Sequence, residues 1–170
     1  GAAIAKTVPP DFVELAKKLK PSVVNISTSK VVNPQQRFRR PPQGQFGGDP
    51  FQDFFDRFFE GIPSQPRTQR SLGSGFIISD EGYILTNNHV VANADEIKVK
   101  LSDGREFKGE VKGSDEKLDL ALIKIDTKGH LPVATLGDSD AMEVGEWVLA
   151  IGDPFGLAQT VTTGIVSAKG

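Results

Sequence analysis

The sequence YILTNNHVV at residues 83–91 carries the strongest structural signal in this chain. Its first four residues are aromatic, aliphatic or β-branched, which favours a short strand, and the two asparagines that follow favour a turn. The turn presents His89, one of only two histidines among the 170 residues. We therefore expect a strand that ends in a turn carrying an imidazole.

The β pattern continues on both sides of this segment. Short apolar stretches alternate with turn residues such as those of Asp80-Glu81-Gly82. Short strands at close spacing predict an antiparallel barrel or sandwich. The predicted strands are 22–27, 76–78, 83–86, 97–101, 107–111, 118–125, 146–152 and 159–166.

Residues 11–19 have the pattern of a short amphipathic helix instead. The apolar residues that recur at helical spacing are Phe12, Leu15, Ala16 and Leu19. Asp11 is suited to cap the helix, and Pro21 is suited to end it. An N-terminal helix is therefore expected before the first strand.

Residues 33–70 differ in composition, being rich in Pro, Gln, Arg, Gly and Phe. The segment is too long for a hairpin loop, so we expect it to be functional or partly disordered. Inside it, Asp49-Pro50 starts a predicted helix that Gly61 ends. One face of that helix carries five phenylalanines: Phe51, Phe54, Phe55, Phe58 and Phe59.

The phenylalanine face needs a partner, and two partners are open. It packs on the core of its own chain, or it contacts another subunit or a blocked cleft. We favour the second interpretation, since a long loop is a poor place to build a core and exposed apolar patches usually bind something.

Composition excludes several classes of function. The formal net charge of −2 gives no basic footprint for nucleic acid. The chain has no cysteine, which excludes disulfides, thiol catalysis and thiolate metal sites. No run of about 18 apolar residues that could span a membrane occurs, and no signal peptide is visible at the start, Gly1-Ala2-Ala3.

Asp119 is the carboxylate best suited to act with His89. It lies in the apolar sequence LDLALI at residues 118–123, which predicts a position inside a strand and at least partial burial. A buried carboxylate needs donors, because leaving it unpaired is costly. Two donors are open: backbone amides, which would make the residue structural, and the imidazole N–H of His89, which would fix the tautomer of a catalytic base.

No serine in the sequence has the surroundings of an activated nucleophile. Ser139 starts like a Gly-Asp-Ser-Gly-Gly turn, but Asp140 follows it and would place negative charge where an oxyanion must form. Ser167 is not followed by the two glycines of such a turn, and Ser74 leads straight into a strand. The second histidine, His130, is expected to be exposed, because its loop offers no carboxylate and no metal-ligand spacing.

Four segments match one known pattern closely: 71–78, 82–91, 119–124 and 144–152. Together they resemble the HtrA/Deg serine proteases of the bacterial envelope, and the resemblance covers nearly all of residues 8–169. Two departures are mild. Asp153 stands where the family usually has Asn, and Lys169 stands where Leu is common.

This resemblance implies an all-β, trypsin-like serine protease fold. The expected parts are a short N-terminal helix, a first six-stranded barrel and the opening strands of an incomplete second barrel. Their implied bounds are 1–21, 22–135 with a regulatory loop at 33–70, and 136–170.

The resemblance also implies a role for each site residue. His89 matches the general base and Asp119 the acid that orients it. The family's serine turn lies beyond the segment that matches residues 159–170, so the nucleophile is expected outside this sequence and the chain alone is expected to be inactive. No metal or organic cofactor is implied.

The implied substrates are unfolded or misfolded polypeptides of the periplasm, cut after small apolar residues. The implied assembly is a trimer-based homo-oligomer, with Phe12 as a contact between subunits and the five phenylalanines blocking a neighbour's site. Two alternatives stay open. The chain is a non-catalytic chaperone-like or assembly module acting through the Phe-rich loop, or a β domain with no function of its own.

Overall fold

The computed structural model describes residues 10–31, 68–153, 156 and 158–169. Strands dominate these residues, as expected. In chain order the elements are α1 (Phe12–Leu19), a 3₁₀ turn (Lys20–Ser22), β1 (Val23–Val31), β2 (Thr68–Ile77), β3 (Tyr83–Thr86), α2 (Asn88–Val91), β4 (Glu96–Lys100), β5 (Glu106–Asp115), β6 (Leu120–Ile125), β7 (Trp147–Gly152) and β8 (Thr160–Ile165).

Six of the strands close into a barrel in the order β1-β2-β3-β6-β5-β4. The alternation of apolar residues explains the closure, since one face of each strand must be removed from water. In β6, for example, Ala121, Ile123 and Ile125 point into the core while the residues between them are more exposed. The predicted all-β class is confirmed. Among the described residues, the largest fully buried side chains are Val24, Ile26, Ile77, Ile84, Val99, Ile123 and Ile125.

The last two strands form a separate antiparallel sheet. β7 and β8 pair from Trp147 opposite Ile165 to Gly152 opposite Thr160. The predicted strands at 146–152 and 159–166 are therefore confirmed to within one residue at each end. Both large side chains at the first pair are exposed, Trp147 by 45% and Ile165 by 55%.

The N-terminal helix is also confirmed, and it packs on the second sheet. The Asp11 carboxylate caps α1 by accepting hydrogen bonds from the main-chain N–H groups of Val13 and Glu14. The ring of Phe12 lies edge-on to Trp147 with centroids 5.6 Å apart. Phe12 thus has a partner within its own chain, and its expected contact with another subunit stays a prediction.

The expected loop bounds need one correction. Since β1 runs to Val31 and β2 begins at Thr68, the last three residues of the predicted loop 33–70 belong to a strand. Neighbouring strands of a closed barrel extend their pairing beyond the point where apolar alternation stops. The Phe-rich stretch and its predicted helix lie outside the described residues.

In the part of the chain that the structure describes, no helix has the length and apolarity needed to cross a bilayer.

A glycine in β2 allows the close packing of α2 on the barrel. A Cβ atom at Gly73 would lie 2.6 and 2.7 Å from the two methyl carbons of Val90. We expect Gly73→Ala to lower the free energy of unfolding by about 1–3 kcal/mol through overpacking. The measurement is urea denaturation followed by circular dichroism.

Gly113→Ala is the matched control, because nothing lies within 4 Å of a Cβ built there. Alanine at Gly113 is expected to be neutral or slightly stabilising. Equal destabilisation by the two substitutions would contradict the packing account.

Candidate active site

The pairing of β3 with β6 brings His89 and Asp119 together. In this register Thr86 lies opposite Ala121, so the residues just after β3 meet those just before β6. The main-chain N–H of Asn88 donates to the carbonyl of Asp119 at 3.1 Å and extends the ladder by one contact. Residues that are 30 positions apart in sequence thereby become neighbours.

The carboxylate of Asp119 is held by three donors. Oδ1 accepts from the main-chain N–H of His89 at 2.9 Å. Oδ2 accepts from the side-chain amide of Asn87 at 3.1 Å and from Nδ1–H of His89 at 2.6 Å. The Asn87 amide also donates to the carbonyl of Asp119 at 3.1 Å. The carboxylate is therefore fixed in orientation from two sides.

These bonds lower the pKa of the Asp119 carboxyl below its ordinary value of 3.8. The main-chain N–H of His89 contributes most, the imidazole next, and partial desolvation opposes them. Asp119 is consequently ionised at neutral pH. An ionised carboxylate can only accept, so Nδ1 of His89 must carry the proton in the short bond.

This arrangement makes His89 chemically suited to be a base. With the proton of the neutral ring held on Nδ1, Nε2 keeps a free lone pair. If Nε2 takes up a proton, the adjacent carboxylate stabilises the resulting imidazolium. The imidazole is 64% exposed, so an incoming group can reach it.

The position predicted for Asp119 within a strand is wrong. β6 begins at Leu120, and Asp119 precedes it in the left-handed region with φ 51°. Asp tolerates that conformation better than most residues. Leu118 and Leu120 are 68% and 44% exposed, so they do not enclose the carboxylate, which is 42% exposed. Asp119 is partly buried, as expected, but not by its apolar neighbours in sequence, which are exposed.

Both kinds of donor that were considered for the Asp119 carboxylate, a backbone amide and an imidazole N–H, are present. The backbone amide of His89 binds one carboxylate oxygen and its imidazole binds the other. Asn87, whose amide completes the set of donors, was not predicted from the sequence. The signal for it was weak, because an Asn after a strand is equally typical of a turn.

Among the described residues, none of the remaining candidates is hydrogen-bonded to His89 or Asp119. His130 is exposed, as expected. Ser139 lies in a turn, where its carbonyl accepts from the main chain of Met142 at 3.3 Å. The hydroxyl of Ser74 accepts from the main-chain N–H of Asp153 at 2.7 Å. Among the described residues, the imidazole of His89 has no hydrogen-bond partner other than Asp119.

Comparison with known proteins agrees with this geometry. A sequence profile described as the trypsin-like peptidase domain matches residues 73–170, which is more than half of the chain and includes both His89 and Asp119.

The chain belongs to the trypsin-like peptidase domain family.

Several similar proteins indicate which group of trypsin-like peptidases this chain resembles. Proteins named probable periplasmic serine endoprotease DegP-like are 51% identical in Halomonas elongata, over 94% of this chain, and 50% identical in Pseudomonas putida, over 99%. A solved structure of the HtrA-type protease AlgW with a tripeptide is 40% identical over 94% of this chain, with a TM-score of 0.68. The resemblance of this trypsin-like domain to HtrA/Deg proteases is confirmed, and so is the trypsin-like fold.

The matches also differ from this chain in length. The chain spans 35% of the Halomonas relative, 36% of the Pseudomonas relative and 40% of the AlgW chain. The activity, substrates and partners of a whole protein are therefore matters of proposal for this chain.

The lowered pKa of Asp119 gives a pH-dependent contribution to stability. A carboxyl whose folded pKa lies below its unfolded value stabilises the fold above the unfolded value and loses that contribution as the pH falls through the folded one. We expect Asp119→Asn to be less stable than wild type at about pH 7, with a difference that shrinks below about pH 4. Urea denaturation across this range measures it.

Asp140→Asn is the control, because the described residues place no hydrogen bond on the Asp140 carboxylate. It is expected to change stability little at any pH. An effect of Asp119→Asn that stays constant down to the lowest pH would contradict the account.

Proposed function

We propose that this chain is the base-bearing part of an HtrA/Deg-type serine endopeptidase. The observation that carries the proposal is the 2.6 Å contact between Nδ1 of His89 and Oδ2 of Asp119. His89 is the general base and Asp119 the acid that orients it. We also propose that the chain divides into an N-terminal segment at 1–21, a first barrel at 22–135 and the start of a second barrel at 136–170.

In the proposed reaction, Nε2 of His89 removes the proton from a serine hydroxyl as the oxygen attacks the substrate carbonyl. A segment outside this sequence supplies that serine. Asp119 stays ionised and stabilises the imidazolium, which then gives its proton to the leaving amine. The second oxygen of the carboxylate, held by the main chain of His89, keeps the acid from rotating away.

The names of the relatives indicate the cellular compartment of this reaction. They are named periplasmic serine endoproteases, and we place this protein in the periplasm as well. Unfolded or misfolded polypeptides are the proposed substrates, and a trimer-based homo-oligomer the proposed assembly. The chemistry proposed for His89 and Asp119 uses no cofactor.

The Phe-rich loop is the basis of the alternative function, a chaperone-like or assembly module. Its phenylalanines lie outside the described residues, so this alternative stays a prediction. Replacing Phe54, Phe55, Phe58 and Phe59 by Ser would test it, with client binding and oligomer size as the readouts.

The two histidines give a matched test of the catalytic role. In a longer protein that joins this chain to its serine-bearing remainder, we expect His89→Ala to lower kcat by about 10³-fold or more, because the base is lost. His130→Ala is expected to leave kcat unchanged, since His130 is exposed and, within the described part of the chain, makes no hydrogen bond to the pair. The measurement is cleavage of casein or a fluorogenic peptide, and equal activity of the two variants would refute the assignment.

The 170-residue chain by itself gives the complementary prediction. We expect no His89-dependent peptidase activity, because no hydroxyl in the described residues is bonded to the imidazole. Comparing the wild-type chain with His89→Ala under identical conditions separates true turnover from a contaminating protease. Turnover that disappears in His89→Ala would overturn this prediction.

A further inference from the structure

Asp153, the residue that follows β7, is hydrogen-bonded to two side chains of the barrel. The main-chain N–H of Asp153 donates to Oγ of Ser74 at 2.7 Å. Its carbonyl accepts from the side-chain amide of Asn25, also at 2.7 Å. Both polar groups of a single peptide residue are therefore fixed by the barrel, 79 and 128 positions away in sequence.

The carboxylate of Asp153 takes no part in this attachment. Its Oδ1 is buried and has no hydrogen-bond partner within the described residues. The attachment therefore uses the main chain of Asp153 and does not require an acid at that position, which fits the usual Asn of the HtrA/Deg pattern.

Ser74 is also bonded to the strand that leads into the candidate active site. Its carbonyl accepts from the hydroxyl of Thr86 at 2.8 Å. Thr86 is buried and is the last residue of β3, directly before Asn87. Through its hydroxyl and its carbonyl, Ser74 thus joins the second sheet on one side to the strand that leads into the His89 turn on the other.

Close packing leaves these groups little freedom. Ser74 lies between two glycines, and a Cβ at Gly75 would lie 2.8 Å from both the Leu85 carbonyl and a methyl of Ile26. Asn25 is 5% exposed, and a Cβ at Gly156 would lie 3.1 Å from its Oδ1. The bonds therefore join closely packed segments, where a lost bond leaves a partly buried donor unpaired.

From these contacts we infer that Ser74 is a positioning residue, which sets the place of the β7–β8 sheet relative to the His89–Asp119 pair. It touches neither the substrate nor the reacting atoms. The inference rests on the proposed function in one respect: the chain continues from β8 toward the serine-bearing region, so the placement of this sheet determines where the nucleophile meets the base.

Hydrogen exchange of the Asp153 amide tests the attachment directly in this chain. Ser74→Ala removes the acceptor, so we expect the Asp153 amide to exchange about 3- to 10-fold faster. The Val99 amide, in the buried centre of β4, is the internal reference and is expected to keep its rate. Ser74→Thr keeps the hydroxyl and is expected to restore slow exchange.

Ser79→Ala is the matched control. The Ser79 hydroxyl also accepts from a main-chain N–H, that of Glu81 at 3.1 Å, but in an exposed turn. It is expected to leave the Asp153 amide unchanged. Should Ser74→Ala fail to fold, Ser74→Cys keeps the size with only a weak acceptor and allows the same comparison. Unchanged exchange at Asp153 in a folded Ser74 variant would overturn the inference.

A kinetic measurement separates positioning from a purely structural role. In the longer protein, Ser74→Ala is expected to lower kcat by about 3- to 10-fold at unchanged KM, with recovery in Ser74→Thr. Faster exchange at Asp153 with unaltered kcat would also overturn the inference, since the bond would then be structural only. Failure of the proposed function is a different result, namely a His89→Ala variant that stays active.

Discussion

The carboxylate of Asp119 is the group on which the site depends. It takes one hydrogen bond from the main chain of His89, one from its ring and one from the Asn87 side chain. All three donors come from the short segment that follows β3. The carboxylate therefore orients the imidazole and also fixes the backbone that carries it, which explains why the pair keeps its geometry although both side chains are partly exposed to solvent.

The barrel supplies the register that makes this contact possible. Pairing of β3 with β6 places the chain just beyond Thr86 beside the chain just before Ala121. A shift of one residue in that pairing would turn the core side chains of β6 toward water, so burial of Ile123 and Ile125 protects the register. Stability of the core and alignment of the site thus have the same physical origin.

Much of this architecture could be predicted from sequence, because apolar alternation and helix capping are local signals. The β3 strand, the Asp11 cap and the final two strands lie where those signals place them. What could not be predicted depends on conformation or distant contacts. The left-handed backbone of Asp119 and the hydrogen bond donated by Asn87 produce no periodic pattern in the sequence. The attachment of Asp153 to Ser74 joins residues 79 apart.

The role of His89 as a base depends on the proton being held on Nδ1, and nitrogen-15 NMR of the imidazole ring reports that protonation directly. In the neutral form of the ring, the account predicts a protonated Nδ1 and an unprotonated Nε2, as the bond to Asp119 requires. Replacing Asp119 by Asn should remove that preference for one tautomer. A wild-type spectrum with the proton on Nε2, or with the two tautomers mixed as in a free histidine, would contradict the account.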